Sequence, residues 1–202
     1  MLFRSYLRLN EYLNALAAQS QGSWLFFWND DAEMETQDWD QIIMDNSKEF
    51  ALLRAETNHE HPYAIFPILP RKWIEITGHL SPHQINDAWT SQVAWMLDIV
   101  KNIPVMIHHK RYDLTGENHD STFKERIMLE NMPNNDPRCF NHITWRQRRI
   151  DETAKLADYI DSIGGDTSWF RDSLSGKNEN IWAKMQAADP HQRLRQWKDS
   201  PF

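Results

Sequence analysis

Apolar residues in this chain come in short runs. Trp24–Trp28 holds five in succession, where crossing a bilayer takes roughly 20. The chain must therefore bury its apolar side chains by packing amphipathic elements against one another. Its means are ample, because 41% of the 202 residues are hydrophobic and ten Trp and nine Phe supply large areas to bury. Pro and Gly, at 9 and 6, are too few for a low-complexity or linker-dominated chain. The start, Met1 to Arg4, soon carries Arg8, Asn10 and Glu11 inside an amphipathic pattern, unlike the continuous apolar core of a signal peptide. The single cysteine, Cys139, excludes an intramolecular disulfide and a Cys-rich zinc site. These features predict a soluble, cytoplasmic protein with no membrane association.

Periodicity then assigns elements. Leu2, Tyr6, Leu9, Leu13 and Leu16 step by three and four, predicting an amphipathic helix that stops at Ser20-Gln21-Gly22. Trp24–Trp28 reads as a short buried strand. A second helix is predicted over 38–57, with Trp39, Ile42, Ile43, Phe50 and Leu53 on its apolar side. Prolines 62, 67 and 70 make the next stretch an edge strand or an extended connection, not a central strand. Ser81-Pro82-His83-Gln84 reads as a capping box opening a helix whose stripe runs Ile85, Trp89, Val93, Met96, Val100 and Ile103. Pro104–Ile107 suits another strand, and Ser121 or Thr122 caps a helix running to Met132. A second capping box at Thr144–Gln147 opens a helix carrying Ile150, Ala154, Ala157 and Ile160, closed by Gly164-Gly165. Helical pieces around 169–174 and 179–188 follow. The expected fold is mainly α, with about six helices and two or three short strands, all-α or α+β. The Asn- and Pro-rich stretch 131–137 divides an N-terminal portion, 1–133, from a C-terminal helical portion, 138–202, the two forming one compact unit.

Charge is uneven along this chain of net charge −7. Residues 1–60 hold 4 basic and 11 acidic side chains, whereas residues 121–202 hold 13 and 12. The acidity concentrates between Asp30 and Asp45, and arginines cluster near the end. Such a distribution suits binding at each end more than wrapping a polyanion.

Nine histidines invite a search for chemistry. Their spacings call for no metal: His59 and His61 share a face only if extended, and the neighbours His108 and His109 point opposite ways in a strand. His119-Asp120 looks like the His-Asp pair of metal-dependent phosphohydrolases but lies in a loop that reads as a helix cap. His79-Leu80-Ser81 and His142-Ile143-Thr144 both fit H-x-[S/T] and resemble the paired motif of two-histidine phosphoesterases. That resemblance implies one imidazole as base and the other as acid, with Ser81 and Thr144 holding the scissile phosphate. Two helix starts explain the same residues. Cys139, between Arg138 and His142, reads as a buried thiol, and no glycine-rich loop or other motif asks for a cofactor.

Binding is the stronger theme. Arginines interleave with tryptophan around Trp145-Arg146 and Arg149, and again at Arg193, Arg195 and Trp197, offering phosphate forks beside stacking faces. Trp73, between Lys72 and Ile74 in a polar setting, and Trp197 are the tryptophans least easily buried. The favoured expectation is a non-enzymatic interaction protein, an adaptor or inhibitor docking on a protein partner through an aromatic and charged surface that includes Trp73, Arg146, Arg149, Arg193, Arg195 and Trp197. The alternatives are a histidine-dependent phosphodiester or nucleotide hydrolase using His79, Ser81, His142 and Thr144, and a nucleic-acid-associated protein using the arginine clusters.

Overall fold

The structure, a computed structural model, describes residues 8–59, 61–110, 128 and 131–175. In chain order it holds α1 (Leu9–Gln19), β1 (Trp24–Phe26), β2 (Ala32–Met34), α2 (Trp39–Asn46), β3 (Leu52–Thr57), β4 (Pro67–Pro70), α3 (Arg71–Thr77), α4 (Asn86–Met96), β5 (Val100–His109), α5 (Ile143–Ser162) and α6 (Ser168–Leu174). The expected helix 121–132, with the His119-Asp120 pair before it, and the piece at 179–188 lie essentially outside the described residues.

The five strands form one mixed sheet in the order β1–β4–β3–β5–β2, parallel between β3 and β5 and antiparallel elsewhere. This corrects the expectation of a mainly helical chain with two or three short strands: the fold is α+β around a substantial sheet. Two segments account for the difference. The predicted helix over 38–57 ends at Asn46, and Leu52–Thr57 continues as β3. The stripe assigned to one helix from Ile85 onward breaks after Met96, where Asp98 takes the left-handed conformation (φ 58°), and Val100 and Ile103 belong to β5.

Proline placement shows how the sheet tolerates it. β4 lies inside the sheet, not at its edge, but its prolines stand at the two ends, opposite Trp24 and Arg54. Ile68 and Leu69 supply the interior N–H groups, and Pro67 contributes only its carbonyl, which accepts from Phe27 N at 3.2 Å. Pro104, which has no N–H to give the ladder, sits where the β3–β5 register slips between Ala55 and Glu56, a bulge that asks no ladder bond of it.

Alternation across the sheet divides the core. Leu52 and Leu69 turn to one face, where they join Trp73 of α3, Trp89 and Val93 of α4, Leu156 of α5 and Phe170 of α6. Leu53 and Ile68, their neighbours in the chain, turn to the other face with Ile103, Val105 and Ile107 of β5 and Ile43 of α2. α4 is buried on nearly every side, as a helix between a sheet and other helices must be. α1 straps the loop that precedes α4: Asn14 Oδ1 accepts from Leu80 N (2.8 Å) and Ser81 N (3.2 Å), while Asn14 Nδ2 donates to Ser81 O (2.8 Å). Ser81 is therefore not a helix cap. Its buried hydroxyl closes a turn with the His83 backbone, and α4 begins five residues later. No helix among the described residues is long and apolar enough to cross a membrane.

Candidate docking surface

The histidines and hydroxyls that matched H-x-[S/T] have structural positions. His142 is the N-cap of α5, its Nδ1 accepting from Thr144 N at 3.3 Å, and Thr144 is the second residue of the helix. His79 follows the left-handed Gly78 that ends α3, and its Nε2 lies 3.0 Å from Glu152 Oε1 and 3.1 Å from Arg148 Nη2. One ring nitrogen meets both groups, so Nε2 serves Glu152 as a donor or Arg148 as an acceptor, not both at once. Six residues of α5, about 9 Å of helix rise, separate the His142 cap from Arg148 beside His79. His79 and His142 thus attach to different turns, each with a hydrogen-bonding role in the fold.

Beneath His79 lies a polar network inside the helical layer. Glu152, 4% exposed, accepts from Trp89 Nε1 at 2.8 Å and from Arg148 Nε at 3.2 Å. One turn earlier Arg149, 1% exposed, donates to Phe140 O at 3.0 Å and stacks its guanidinium over Phe140 (4.1 Å to the ring centre) and Trp89 (5.2 Å). Burial pushes this guanidinium down to about 9, so it remains a cation at neutral pH. The sequence signal for the network was present: Arg149, Glu152, Thr153 and Leu156 are spaced as a buried stripe, rotated from the expected line through Ala154. Charged residues are so seldom buried that the stripe was read past them.

His83 packs edge-on against Phe140 and Trp145, 5.2 Å from each, and its Nε2 lies 3.2 Å from Arg138 O. Beside it is a cavity of about 150 Å³ lined by Arg8, Asn10, Pro82, Arg138 and Trp145 among others. That is below the roughly 300 Å³ at which small-molecule sites begin. Among the described residues no three His, Cys, Asp or Glu side chains are grouped to hold a metal ion.

The outer surface of the sheet is more informative. Trp28 and Trp39 are 41% and 37% exposed, and both rest edge-on against Phe26, at 5.4 Å and 5.6 Å between ring centres. Trp28 also meets Phe66 at 5.8 Å. These contacts make one aromatic face that continues the smaller core cluster outward. Three acidic side chains of this segment are met from the end of β5 and the residue after it, offset from the direct β2–β5 register: Asp31 lies against His109 (3.1 Å), Glu35 against His108 (3.2 Å) and Glu33 against Lys110. The Lys110 ammonium holds the Glu33 carboxyl below its ordinary range. Asp30, Asp38, Asp40 and Asp45 are exposed, and no ion pair among the described residues reaches them, although Gln41 Nε2 donates to Asp45 Oδ1 at 2.9 Å. Asp38 and Asp40 flank Trp39 directly.

The residues expected to bind are distributed differently. Trp73 is buried, contrary to its polar setting in the sequence, because Arg71 and Lys72 point outward from α3 while the indole stacks on Phe50 at 6.1 Å. Arg149 is interior, Arg146 is half-buried, and Arg193, Arg195 and Trp197 lie outside the described residues. Trp28 and Trp39 were missed: one ended an apolar run that read as buried, the other headed a helical stripe that read as core. Comparison with family models, with curated proteins and with solved structures finds no match.

Proposed function

We propose that this protein is a non-enzymatic interaction protein, an adaptor or inhibitor, that docks on a protein partner through the face built by Trp28, Phe26 and Trp39. The observation that carries this reading is the pair of half-exposed indoles joined edge-on through Phe26. Tryptophan dominates binding hot spots because it brings a large rigid apolar area at small entropic cost, and two joined through one phenyl ring give a ready centre for an interface. The hydrolase alternative has no comparable support, since His79 and His142 are engaged in the fold. The nucleic-acid alternative loses Arg149, which is buried, and the exposed carboxylates that neighbour the two indoles in the chain repel a polyanion.

The test is affinity purification from the native host of the wild-type chain and of Trp28→Ala/Trp39→Ala, each after nuclease treatment and a moderate salt wash. A stoichiometric protein that accompanies the wild type, and is recovered at least tenfold less with the folded double variant, supports the reading. Equal recovery with both, or a wild type that purifies alone, overturns it.

A further inference from the structure

We infer that the segment docking on the Trp28–Trp39 face is a cationic stretch of polypeptide, rich in arginine and lysine; the inference rests on the docking reading above. Residues 9–47 contain no lysine or arginine at all. Within the fold, Lys110 answers Glu33, and the imidazoles of His108 and His109 answer Glu35 and Asp31; no ion pair among the described residues reaches the other carboxylates between Asp30 and Asp45. Asp30, Asp38, Asp40 and Asp45 are exposed; Asp38 and Asp40 adjoin Trp39 in the chain, and Asp30 is two residues from Trp28.

Exposed indoles with exposed carboxylates next to them in the chain match the two things an arginine side chain offers. The guanidinium stacks over the ring and its N–H fork reaches a carboxylate in its own plane. Lysine meets the same elements as a point charge. Other occupants fit worse. A second copy presenting this same segment would set like charge against like, because residues 9–47 carry acidic side chains and no lysine or arginine. An anionic lipid surface and a nucleic acid are both repelled.

The probe is a fluorescein-labelled twelve-residue peptide of alternating Arg and Gly, titrated against the full chain by fluorescence anisotropy at 50 and 300 mM salt, with a Glu-Gly peptide as comparison. Two variants test the two halves of the site. Trp28→Ala/Trp39→Ala removes the stacking faces, and Asp30→Asn/Asp38→Asn/Asp40→Asn/Asp45→Asn removes the charge without touching the aromatic packing. A control, Glu49→Gln/Glu75→Gln/Asp151→Asn/Asp158→Asn, removes the same charge elsewhere; all proteins are checked for folding by thermal melt. The expected result is binding of the Arg peptide alone, weakened at least tenfold by either variant and by salt, and changed less than twofold by the control. Equal weakening by control and aspartate variant overturns the inference, since net charge would then suffice. No binding of the Arg peptide, with Trp-dependent capture of a host protein intact, overturns the inference while leaving the docking reading standing. Loss of both removes the two together.

Discussion

At His83 the surroundings select a neutral ring. Its Nδ1 accepts from Ile85 N at 3.2 Å, which puts the proton on Nε2, facing Arg138 O. Burial, with Arg149 and Arg8 adding positive charge, lowers its pKa to about 4. The folded state therefore binds fewer protons than the unfolded chain between pH 4 and the unfolded value of about 6.5. The stabilisation is complete above that upper value and drains away as pH falls toward 4, by about 3 kcal/mol in all. We expect His83→Phe to flatten the fall in unfolding free energy between pH 7 and pH 4 by that order, measured by urea titration at each pH. An unchanged slope would show that other groups carry the dependence. Glu152 offers a second measure of the interior. Trp89→Phe deletes the Nε1 donor and shrinks a packed ring, so a loss of about 2–4 kcal/mol is expected from urea denaturation. A loss below about 1 kcal/mol would mean that His79 and Arg148 satisfy the carboxylate without it.

Among the elements, α5 shows what a sequence reveals and what it hides. Its end was legible. Gly164 takes the left-handed conformation (φ 85°), its N–H bonds Asp161 O at 3.1 Å, and Gly165 N reaches back to Ile160 O at 2.9 Å. Gly164→Ala forces a side chain into that conformation, at about 1 kcal/mol or a few degrees of melting temperature by calorimetry. Gly165 is excluded from substitution for another reason, a Cβ there standing 2.4 Å from Ile160 Cγ2. The beginning of α5 was not legible, because Thr144 with Gln147 imitates a cap while the cap is the imidazole of His142. α1 and β1 were read from patterns that end cleanly at Ser20 and the glycine after it. β3 and β5 were not, since Leu53 and Ile103 fall where a continuing helix would place them. What stops the helices is an ordinary serine at position 47 and a left-handed aspartate at position 98, neither of which carries a glycine's signature.

Across the whole molecule, the partition of polar chemistry is the main difference between string and fold. Arg149, one of the arginines that looked like a surface for anions, enters the helical layer, where it and Glu152 sit among Trp89, Phe140 and Trp145. Tryptophans that looked like core come to the surface of the sheet. Periodicity reports which residues share a side, but the sign of that side, inward or outward, is set by what packs on it. For α2 and β1 that is a sheet assembled from distant strands. The candidate surface was visible only as an acidic stretch, and which of its carboxylates stay unmatched depended on a β2–β5 register no local pattern encodes.

That register has a consequence for how the protein is made. β2 has one neighbour, and Met34 pairs with Ile107. A chain leaving the ribosome with its N-terminus first exposes Trp28, the acidic stretch and Trp39 long before His109 has been synthesised. Until then β2 lacks its β5 partner, and Asp31, Glu33 and Glu35 lack the two imidazoles and the Lys110 ammonium that later meet them. The nascent segment therefore carries these three carboxylates unmet, and the pairing that answers them comes into being only when the last residues of β5 and Lys110 arrive.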